Sequence, residues 1–467
     1  MKHQLKFTPP VTSSRAGMTF YRRRDPFASP LWQLLDRHYD DFESFYPERY
    51  EKTYGYLRPA IGAAVGKFLK CGDLREGFAR VHCDDCGHDM FVSFSCKSRC
   101  LCPSCHQKRT LELAMHVAED VCLPVPHRQF VWTIPKRLRI YFRFDRRLLK
   151  ELPKVAWKVI REVYQTVLGR DDVSPGMVAA AQSFGELAHF HPHIHAIVTD
   201  GAFTPDGEFI PLPEMAVEPF LKLWENGVFK LLVKHEKITA ETVADMRAWK
   251  HSGFSVHKNV RIEANDKVGL EGLTQYIARC PFSLDRIMKL TETDQVVYKA
   301  EHPECRRFPE PGDDRLKIGV NRNFQVFDPL DFIAEITQHV PNHGEHTIHY
   351  FGYYSNKVRG MRAKAESAEI AEKSDVTILE EDTPFRKVCR SRWAAMIQKV
   401  FEVDPLVCPK CGGRMRIIAF IERKDQPQVV EGILKCCDLW IEPEERAPPV
   451  FTLEPEYIPM DEFLANF

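Results

Sequence analysis

Histidines alternate with other residues in the segment His-Pro-His-Ile-His at 191–195, and an apolar run follows at once. Alternate side chains of an extended strand project from one face. The pattern therefore predicts a strand over about 192–199 that presents two or three imidazoles side by side. Imidazole nitrogens bind divalent metal ions, and two of them leave positions open for a substrate. We interpret His193 and His195 as ligands of a catalytic Mg²⁺ or Mn²⁺ ion, with His191 as a third.

The third position in this metal site has several candidates. Besides His191, the sequence offers ligand atoms at Gln182, Glu186, Gln275 and Cys280, and residue type and spacing do not choose among them. The alternative interpretation is that the histidines are hydrogen-bonded core residues, which is the usual role of a lone histidine on a strand. Three histidines in alternation beside an apolar run favour metal binding.

A candidate nucleophile, Tyr276, lies in a segment that is predicted to be a helix over about 268–280, ended by Pro281. Most of the fourteen tyrosines should be packed aromatics, but Arg279 follows Tyr276 by one turn and could stabilise phosphate or phenolate charge. In-line attack of a phenolate on a metal-bound phosphodiester gives a phosphotyrosine and a free hydroxyl. A histidine pair and a tyrosine are thus sufficient to cut and rejoin single-stranded DNA.

The first two cysteine knuckles predict structural zinc. Fifteen cysteines, in a chain whose first residues show no apolar export signal, point to a reducing compartment where paired cysteines bind metal. Cys83-x2-Cys86 and Cys102-x2-Cys105 are separated by fifteen residues. This spacing predicts one tetrahedral Zn²⁺ held by the four thiolates. The alternative is four buried free thiols.

The other cysteines carry weaker signals. Cys96 and Cys100 lie between the two knuckles and are interpreted as packing residues, although ligand exchange or a second metal stays open. Cys408-x2-Cys411 is a further knuckle without an evident partner pair, so the sequence supports a second Zn²⁺ only as half of a site.

Charge is unevenly distributed in a chain whose formal net charge is zero. Residues 131–170 carry eleven Lys/Arg against three acids, whereas residues 438–467 carry eight acids and one Arg. A polyanion would favour the first segment, although two solvated faces of opposite sign would give the same pattern. The basic residues expected to contact DNA are Lys97, Arg99, Lys108, Arg109, Lys136, Arg137 and Arg139.

Apolar periodicity and turn residues divide the chain into six regions. These are a flexible leader (1–30), a helical and zinc-binding DNA-recognition module (31–120), a nuclease domain (121–300), an extension packed on it (301–365), a linker (366–384) and a C-terminal region with the Cys408 knuckle and an acidic tail (385–467). No apolar stretch reaches the roughly 18 residues of a membrane helix. We therefore expect a cytoplasmic bacterial protein associated with the nucleoid and no membrane partner.

Several longer motifs resemble a known family. They are FSCKSRCLCPSC at the second knuckle, HFHPHIHAIVTDG, GFSVHKNVRIEANDKVGLEGLTQYIARCPFS, HYFGYYSNKVRG and DPLVCPKCGGRMRIIAFI. Together they make the chain similar, over roughly 30–435, to rolling-circle transposases of insertion sequences in the HUH endonuclease superfamily. The closest likeness is to the single-tyrosine, common-region type.

The resemblance implies an α+β fold that is HUH endonuclease-like. It has a central antiparallel sheet with helices on one side, an N-terminal helical and zinc-binding module and a small C-terminal zinc-knuckle region. His193 and His195 would lie on a central strand, and Tyr276 would be the nucleophile on a facing helix. Some relatives carry a second tyrosine four residues later, where this sequence has Cys280, so one tyrosine would have to serve both strand-transfer steps. The implied partner is single-stranded DNA at transposon ends and at the target site.

Other functions are compatible with parts of this pattern. A plasmid replication initiator or relaxase would use the same chemistry on a plasmid origin. A non-catalytic zinc-dependent DNA-binding protein would keep the cysteines and use the histidines structurally. A metal-dependent hydrolase of a small substrate would cleave without a covalent DNA adduct. The sequence does not give the oligomeric state or the target DNA sequence.

Overall fold

The computed structural model describes residues 25–290, 294–300, 321–371 and 406–442, with two-residue strand fragments at 14–15, 18–19 and 306–307. Most of the predicted leader and of the predicted linker lies outside these residues, as does the acidic tail beyond residue 442. The first residues of the predicted linker, up to Ala371, are helical. Within the described residues, no helix is long and apolar enough to cross a membrane.

The described chain contains both helices and strands. The helices are α1 (Pro30–Arg49), α2 (Glu51–Tyr54), α3 (Pro59–Leu69), α4 (Pro103–His116), α5 (Arg139–Phe144), α6 (Leu152–Leu168), α7 (Glu218–Lys234), α8 (Ala240–Arg247), α9 (Lys267–Ile277), α10 (Pro329–Thr337), α11 (Asn356–Ala371) and α12 (Pro427–Cys436). The strands of three or more residues, with one shorter strand of the central sheet, are β1 (Gly77–Cys83), β2 (Asp89–Ser93), β3 (His127–Thr133), β4 (Gly176–Phe184), β5 (Phe190–Thr199), β6 (Gly201–Phe203), β7 (Phe209–Pro211), β8 (Ser255–His257), β9 (Arg261–Ile262), β10 (Ile287–Leu290), β11 (Val296–Lys299), β12 (Phe324–Phe327), β13 (Ile348–Gly352) and β14 (Met415–Glu422).

An antiparallel central sheet has the strand order β8-β3-β5-β4-β13, and β9 also pairs with β3. The prediction of an α+β fold built on such a sheet is confirmed. The histidine strand β5 is in the middle of the sheet and begins at Phe190, two residues before the predicted start at Pro192. Proline is tolerated there because β3 pairs with β5 only from His193 onward and β4 shifts its register next to Pro192.

Helices α6 and α7 cover one face of the sheet. Their apolar residues pack on large sheet side chains such as Trp132 and Ile194 in the main hydrophobic core. The apolar spacing of residues 146–168 predicts an amphipathic helix, and the structure contains it as α6. The helix begins at Leu152 because residues 146–148 form a separate 3-10 turn. Gly169, in the left-handed conformation, ends the helix.

The opposite face of the sheet is covered as well, by α4 with a following π-turn at Val117–Val121, and by α9. The implied arrangement with helices on one side only is therefore wrong for this chain. The physical reason is that β5 is buried on both faces, from Pro192 to Thr199, and each buried face needs an apolar partner. The histidines point to the face of α4 and α9.

The expected N-terminal module and the nuclease region share hydrophobic contacts. Helices α1 and α3 pack with α10 and with the small sheet β10-β11-β12, around residues such as Phe42, Tyr298 and Phe332. The guanidinium of Arg58 donates hydrogen bonds to the backbone carbonyls of Thr337 and Val340, next to the end of α10. Strand β13, from the expected extension, is an edge strand of the central sheet.

A third sheet pairs strands from the N-terminal and C-terminal parts of the described chain. Its strand order is β14-β1-β2, so the C-terminal strand β14 pairs along the whole length of β1. Helix α12 packs beside it through Val430 and Leu434, which contact Phe78 on β1 in a small apolar cluster.

Candidate functional site

His193 and His195 come together on β5, as the alternation predicts. Their Nε2 atoms are 3.1 Å apart, and both side chains are almost fully buried. The carbonyl oxygen of His191 lies 2.8 Å from Nδ1 of His193 and accepts its proton. This bond leaves the lone pair of the His193 Nε2 atom free to bind a metal.

Gln129 orients the second imidazole. Its side-chain amide nitrogen on β3 lies 3.1 Å from Nδ1 of His195, and in this orientation it donates a hydrogen bond to the ring. A 180° flip of the amide exchanges its nitrogen and oxygen, so that Gln129 accepts the Nδ1 proton and Nε2 of His195 is free to bind a metal as well. Gln129 carries no signal in the sequence, because only the pairing of β3 with β5 brings it near the histidines.

Burial keeps the three imidazoles uncharged at neutral pH. It lowers the pKa of His193 to about 4 and that of His195 to about 2, and the positive charge of Arg279 lowers both pKa values further. Burial, the neighbouring His193 and Arg139 lower the pKa of His191 to about 3. Neutral imidazole is the form that binds a metal ion.

Tyr276, in the last turn of α9, lies directly against this pair. The centres of its ring and the His195 ring are 5.4 Å apart, edge to face. The side chain remains 39% exposed, so a substrate can approach it. The Arg279 guanidinium lies 4.9 Å from the centre of the Tyr276 ring. The structure thus brings together the histidine pair, the tyrosine and the arginine that the sequence singled out.

Gln182 is the best placed of the candidate third ligands. It lies opposite His193 in the β4–β5 register, and its amide nitrogen donates a 2.6 Å hydrogen bond to the carbonyl of Ile277 on α9. Its amide oxygen is then buried without a hydrogen-bond partner among the described residues. The Nε2 atom of His191 is also buried without such a partner, so His191 remains a second candidate.

This donor set fits a divalent cation. Two nitrogens bound at right angles, each about 2.1 Å from one metal ion, lie roughly 3 Å apart. The two Nε2 atoms are 3.1 Å apart, and the unpartnered oxygen of Gln182 adds a hard ligand of the kind that Mg²⁺ or Mn²⁺ takes. The other candidates lack such support: Cys280 packs in the apolar cluster around α1 and α10.

The end of the tyrosine helix is held by α4. Nε2 of His106 donates a 2.8 Å hydrogen bond to the carbonyl of Ala278, and the Thr110 hydroxyl donates a second one at 3.0 Å. The His106 tautomer is fixed because its Nδ1 atom accepts the backbone N–H of Cys100. Since His106 directly follows the Cys102–Cys105 knuckle, the zinc-binding module contacts the backbone two residues after Tyr276.

The predicted pairing of the cysteine knuckles is wrong. Cys102 and Cys105 cluster with Cys71 and Cys96, and the four sulfur atoms all lie within 4.8 Å of one another. Cys96, which we interpreted as a packing residue, is therefore a candidate ligand, and Cys71 is one that sequence reasoning missed. Four mostly buried thiols at this spacing fit one structural Zn²⁺.

The Cys83–Cys86 knuckle lies at the other end of the β1–β2 hairpin. Its partner is the Cys408–Cys411 knuckle, which the sequence left as half of a site. The physical reason for the error is distance: the seven residues of β1 span about 20 Å, so one ion cannot reach both ends. The signal was present in the apolar alternation of residues 77–83, which predicts an extended strand between Cys71 and Cys83.

The predicted basic residues fall into two groups. Arg99 and Arg109 line a cavity of about 310 Å³. Gln182 and Arg279, which lie beside the histidine pair, line the same cavity. Lys150 also lines it, and Glu345 is the carboxylate in the lining, already paired with Arg146 at 2.9 Å. The cavity is therefore electropositive. Outside its lining, Lys97 is exposed and Lys108 is half-buried.

The second basic group follows β3. Lys136 and Arg137 are exposed, and the Arg137 guanidinium lies 5.4 Å from the centre of the Trp249 ring. Arg139 is different, because it lowers the pKa of His191 and His193 and therefore lies near the histidines. Arg139 and Arg279 both contribute positive charge there.

The tyrosines of the HYFGYYSNKVRG motif have separate roles. Tyr354 is fully buried and lies 2.8 Å from Nε2 of His127, so it belongs to the core. Tyr353 stacks on Phe203 with ring centres 4.0 Å apart. Tyr350 lines the electropositive cavity.

Two domain families match the chain. Residues 41–134 match the family described as "Transposase zinc-binding domain", and residues 176–362 match the family described as "Putative transposase". The first range holds Cys71, Cys96 and the Cys102–Cys105 knuckle, and the second holds the histidine pair and Tyr276. Both families are described as transposase families, so the chain carries the domains of a transposase.

Two curated relatives are similar over most of their length. The chain is 23% identical to "Transposase for insertion sequence element IS801" of Pseudomonas savastanoi pv. phaseolicola, over 79% of this chain and 85% of that protein. It is 28% identical to "Putative transposase y4qJ" of Sinorhizobium fredii, over 68% of this chain and 80% of that protein. No solved structure matches the chain significantly. The domain matches and both relatives identify the chain as a transposase related to those of IS91/IS801-type insertion sequences.

Proposed function

We propose that this transposase cuts and rejoins single-stranded DNA through a covalent bond to Tyr276, as in rolling-circle transposition. The observation that carries the proposal is the contact between the Tyr276 ring and the His195 ring, 5.4 Å apart between centres, beside two Nε2 atoms that fit one cation. A nucleophile and a cation site at this distance can act on the same phosphodiester.

In the proposed step, the phenolate oxygen of Tyr276 attacks a phosphorus atom of the DNA backbone in line with the bond that breaks. A phosphorus–oxygen bond to Tyr276 forms, the bond to one neighbouring nucleotide breaks, and the released nucleotide oxygen takes a proton from water. The phenol proton passes to solvent, which reaches the half-exposed ring. A free hydroxyl of a second DNA end can reverse the step and join the strands.

The residues around Tyr276 would have different roles in this step. His193, His195 and Gln182 would hold Mg²⁺ or Mn²⁺, which supplies Lewis-acid polarisation of the phosphate when it is bound. Arg279 lies over the Tyr276 ring and lowers the pKa of both histidines, so its charge reaches the nucleophile and the cation site. It stabilises negative charge on the phenolate and on the phosphorane-like transition state.

The electropositive cavity supports a single-stranded substrate. Its cationic lining reaches from Arg279 to Arg99 and Arg109, and Tyr350 offers a flat ring for an unpaired base. We propose element ends and target sites as the physiological single strands.

Incubation of the purified protein with end-labelled single-stranded DNA from the element ends and Mg²⁺ tests the proposal. We expect cleavage that depends on the cation and a labelled protein band that survives SDS and is absent from Tyr276→Phe. Cleavage without any covalent band would favour a metal-dependent hydrolase, and binding without cleavage would favour a non-catalytic DNA-binding protein. Equal cleavage of plasmid-origin DNA would favour an initiator or relaxase.

A further inference from the structure

We propose that Cys83, Cys86, Cys408 and Cys411 form a second structural zinc site. This site joins the N-terminal and C-terminal regions of the chain. The four sulfur atoms lie within 4.8 Å of one another. Neither matched domain range includes Cys408 or Cys411. The proposal does not depend on the chemistry proposed for Tyr276.

The two knuckles have the same backbone geometry. In each, the first cysteine accepts a hydrogen bond from the glycine after the second cysteine: Gly87 to Cys83 and Gly412 to Cys408, both at 2.9 Å. In each, the first cysteine also donates its N–H to a carbonyl five residues later, that of His88 or Gly413. Such turns direct sulfur atoms and amides toward a common centre, which is how paired zinc knuckles bind an ion.

The glycines are required by this geometry. Gly87 and Gly412 have φ values of 70° and 77°, in the left-handed region that other residues avoid. A Cβ atom on Gly413 would clash with the Asp85 carboxylate of the other knuckle, so a larger residue there would require that side chain to move. Glycines in both loops therefore allow the two knuckles to approach each other closely.

The sulfur distances fit zinc and exclude disulfides. Cys83 and Cys411 are 3.5 Å apart, and Cys86 and Cys408 are 3.6 Å apart. Four thiolates about 2.3 Å from one tetrahedral Zn²⁺ are roughly 3.8 Å from one another, whereas a disulfide bond is about 2.05 Å long. All four are free cysteines.

The consequence is that one zinc ion would link two parts of the chain that are distant in sequence. The strand β14 follows the Cys408–Cys411 knuckle and pairs with β1, which ends in Cys83. Because this sheet is small, zinc binding should supply much of the free energy that holds β14 and α12 in place. The first cluster anchors the base of the β1–β2 hairpin and the second its tip, so the hairpin is fixed at both ends.

Zinc content of the purified full-length protein, measured by native mass spectrometry, tests the pairing directly. We expect two zinc ions per chain in the wild type and one in each of Cys83→Ser and Cys408→Ser. The double variant of these two residues should also keep one, because both residues serve the same site. Combining Cys83→Ser with Cys102→Ser should remove both ions, and the control Cys436→Ser should keep both.

Two results would overturn the proposal. One is a Cys408→Ser protein that keeps the full zinc content of the wild type. The other is a zinc loss that is additive for Cys83→Ser and Cys408→Ser, since it would put the two residues in different sites.

Alkylation of wild-type thiols gives an answer even where variants fail to fold. Cys86 and Cys411 are exposed, as are Cys436 and Cys437 outside the cluster. With zinc present, N-ethylmaleimide should label Cys436 and Cys437 at least about tenfold faster than Cys86 and Cys411, because bound thiolates react slowly. Chelation should remove this difference. Equal labelling rates before chelation would contradict the second site.

Discussion

At the scale of single residues, the site rests on neutral histidines with fixed orientations. The carbonyl of His191 and the amide of Gln129 each hold an Nδ1 atom, so that both Nε2 atoms face one point. Arg279 and Arg139 add positive charge nearby. The rings stay neutral at neutral pH because burial lowers the pKa of His193 to about 4. The result is a centre that attracts a phosphate and can hold a cation.

Removing one imidazole should abolish strand cleavage while leaving DNA binding intact. We expect His193→Ala or His195→Ala to slow cleavage of labelled single-stranded DNA at least about 100-fold, because charge stabilisation at the phosphate is lost. DNA affinity should change little, since phosphate contacts elsewhere supply it. The matched control is His257→Ala, at an exposed position on β8. Normal cleavage by either site variant would contradict the metal assignment.

A buried histidine outside the site should make folding sensitive to acid. His339 is fully buried between the Ala188 carbonyl and the Ser183 hydroxyl, and burial lowers its pKa to about 4. The unfolded chain therefore binds the proton first: the stability is present above about pH 6.5 and decreases as pH falls toward 4. The shift corresponds to at most about 3 kcal/mol.

Urea denaturation at pH 7 and pH 5 measures this effect. We expect wild type to lose more stability between the two values than His339→Gln, whose side chain does not titrate. Identical pH dependence in both proteins would show that His339 does not contribute.

At the scale of elements, the zinc-binding module and the tyrosine helix form one unit. Helix α4 begins at the Cys102–Cys105 knuckle, and its His106 and Thr110 hold the Ala278 carbonyl at the end of α9. The position of Tyr276 therefore depends on α4, which begins in the zinc-binding module, as well as on α9, which carries the tyrosine.

Loss of the His106 contact should misplace the nucleophile without loss of zinc. We expect His106→Ala to lower the maximal rate of DNA cleavage by about tenfold, because small displacements of a reacting group are costly. Zinc content and DNA affinity should stay at wild-type values, and His106→Gln, which keeps a donor, should recover part of the rate. Unchanged cleavage by His106→Ala would show that α9 is held well enough by its other contacts.

Local patterns in the sequence were sufficient for most elements. The alternation at 191–195, the apolar spacing of α6 and the prolines next to helix ends fixed strands and helices to within a few residues, because those signals are local. The site residues that escaped prediction, Gln129 and His106, depend on strand pairing and helix packing across the fold. The cysteine pairing failed for the same reason: Cys408 meets Cys86 only through β14.

At the scale of the whole molecule, a chain of zero net charge has several cationic side chains around one cavity beside the histidine pair. Some residues of the basic segment instead hold the structure together, as Arg146 does by pairing with Glu345 at a mostly buried position. The acidic tail beyond residue 442 lies outside the described residues.

The salt dependence of DNA binding should identify the cavity as the DNA path. Each phosphate contact on a single strand contributes about 0.7 to the slope of log affinity against log salt concentration. We expect Arg109→Ala or Lys150→Ala to weaken binding and to lower this slope by about that amount. The control is Lys234→Ala, at an exposed position on α7 on the far side of the sheet. Equal slopes in all four proteins would place the DNA elsewhere.

The most direct test of the central claim is the location of the covalent bond. Protein that has reacted with single-stranded element-end DNA and Mg²⁺ is digested with nuclease and protease, and the peptides are sequenced by mass spectrometry. The account predicts a nucleotide attached through phosphate to Tyr276, in the peptide that ends at Arg279. A nucleotide on another tyrosine, such as Tyr350, or complete cleavage with no modified peptide, would contradict it.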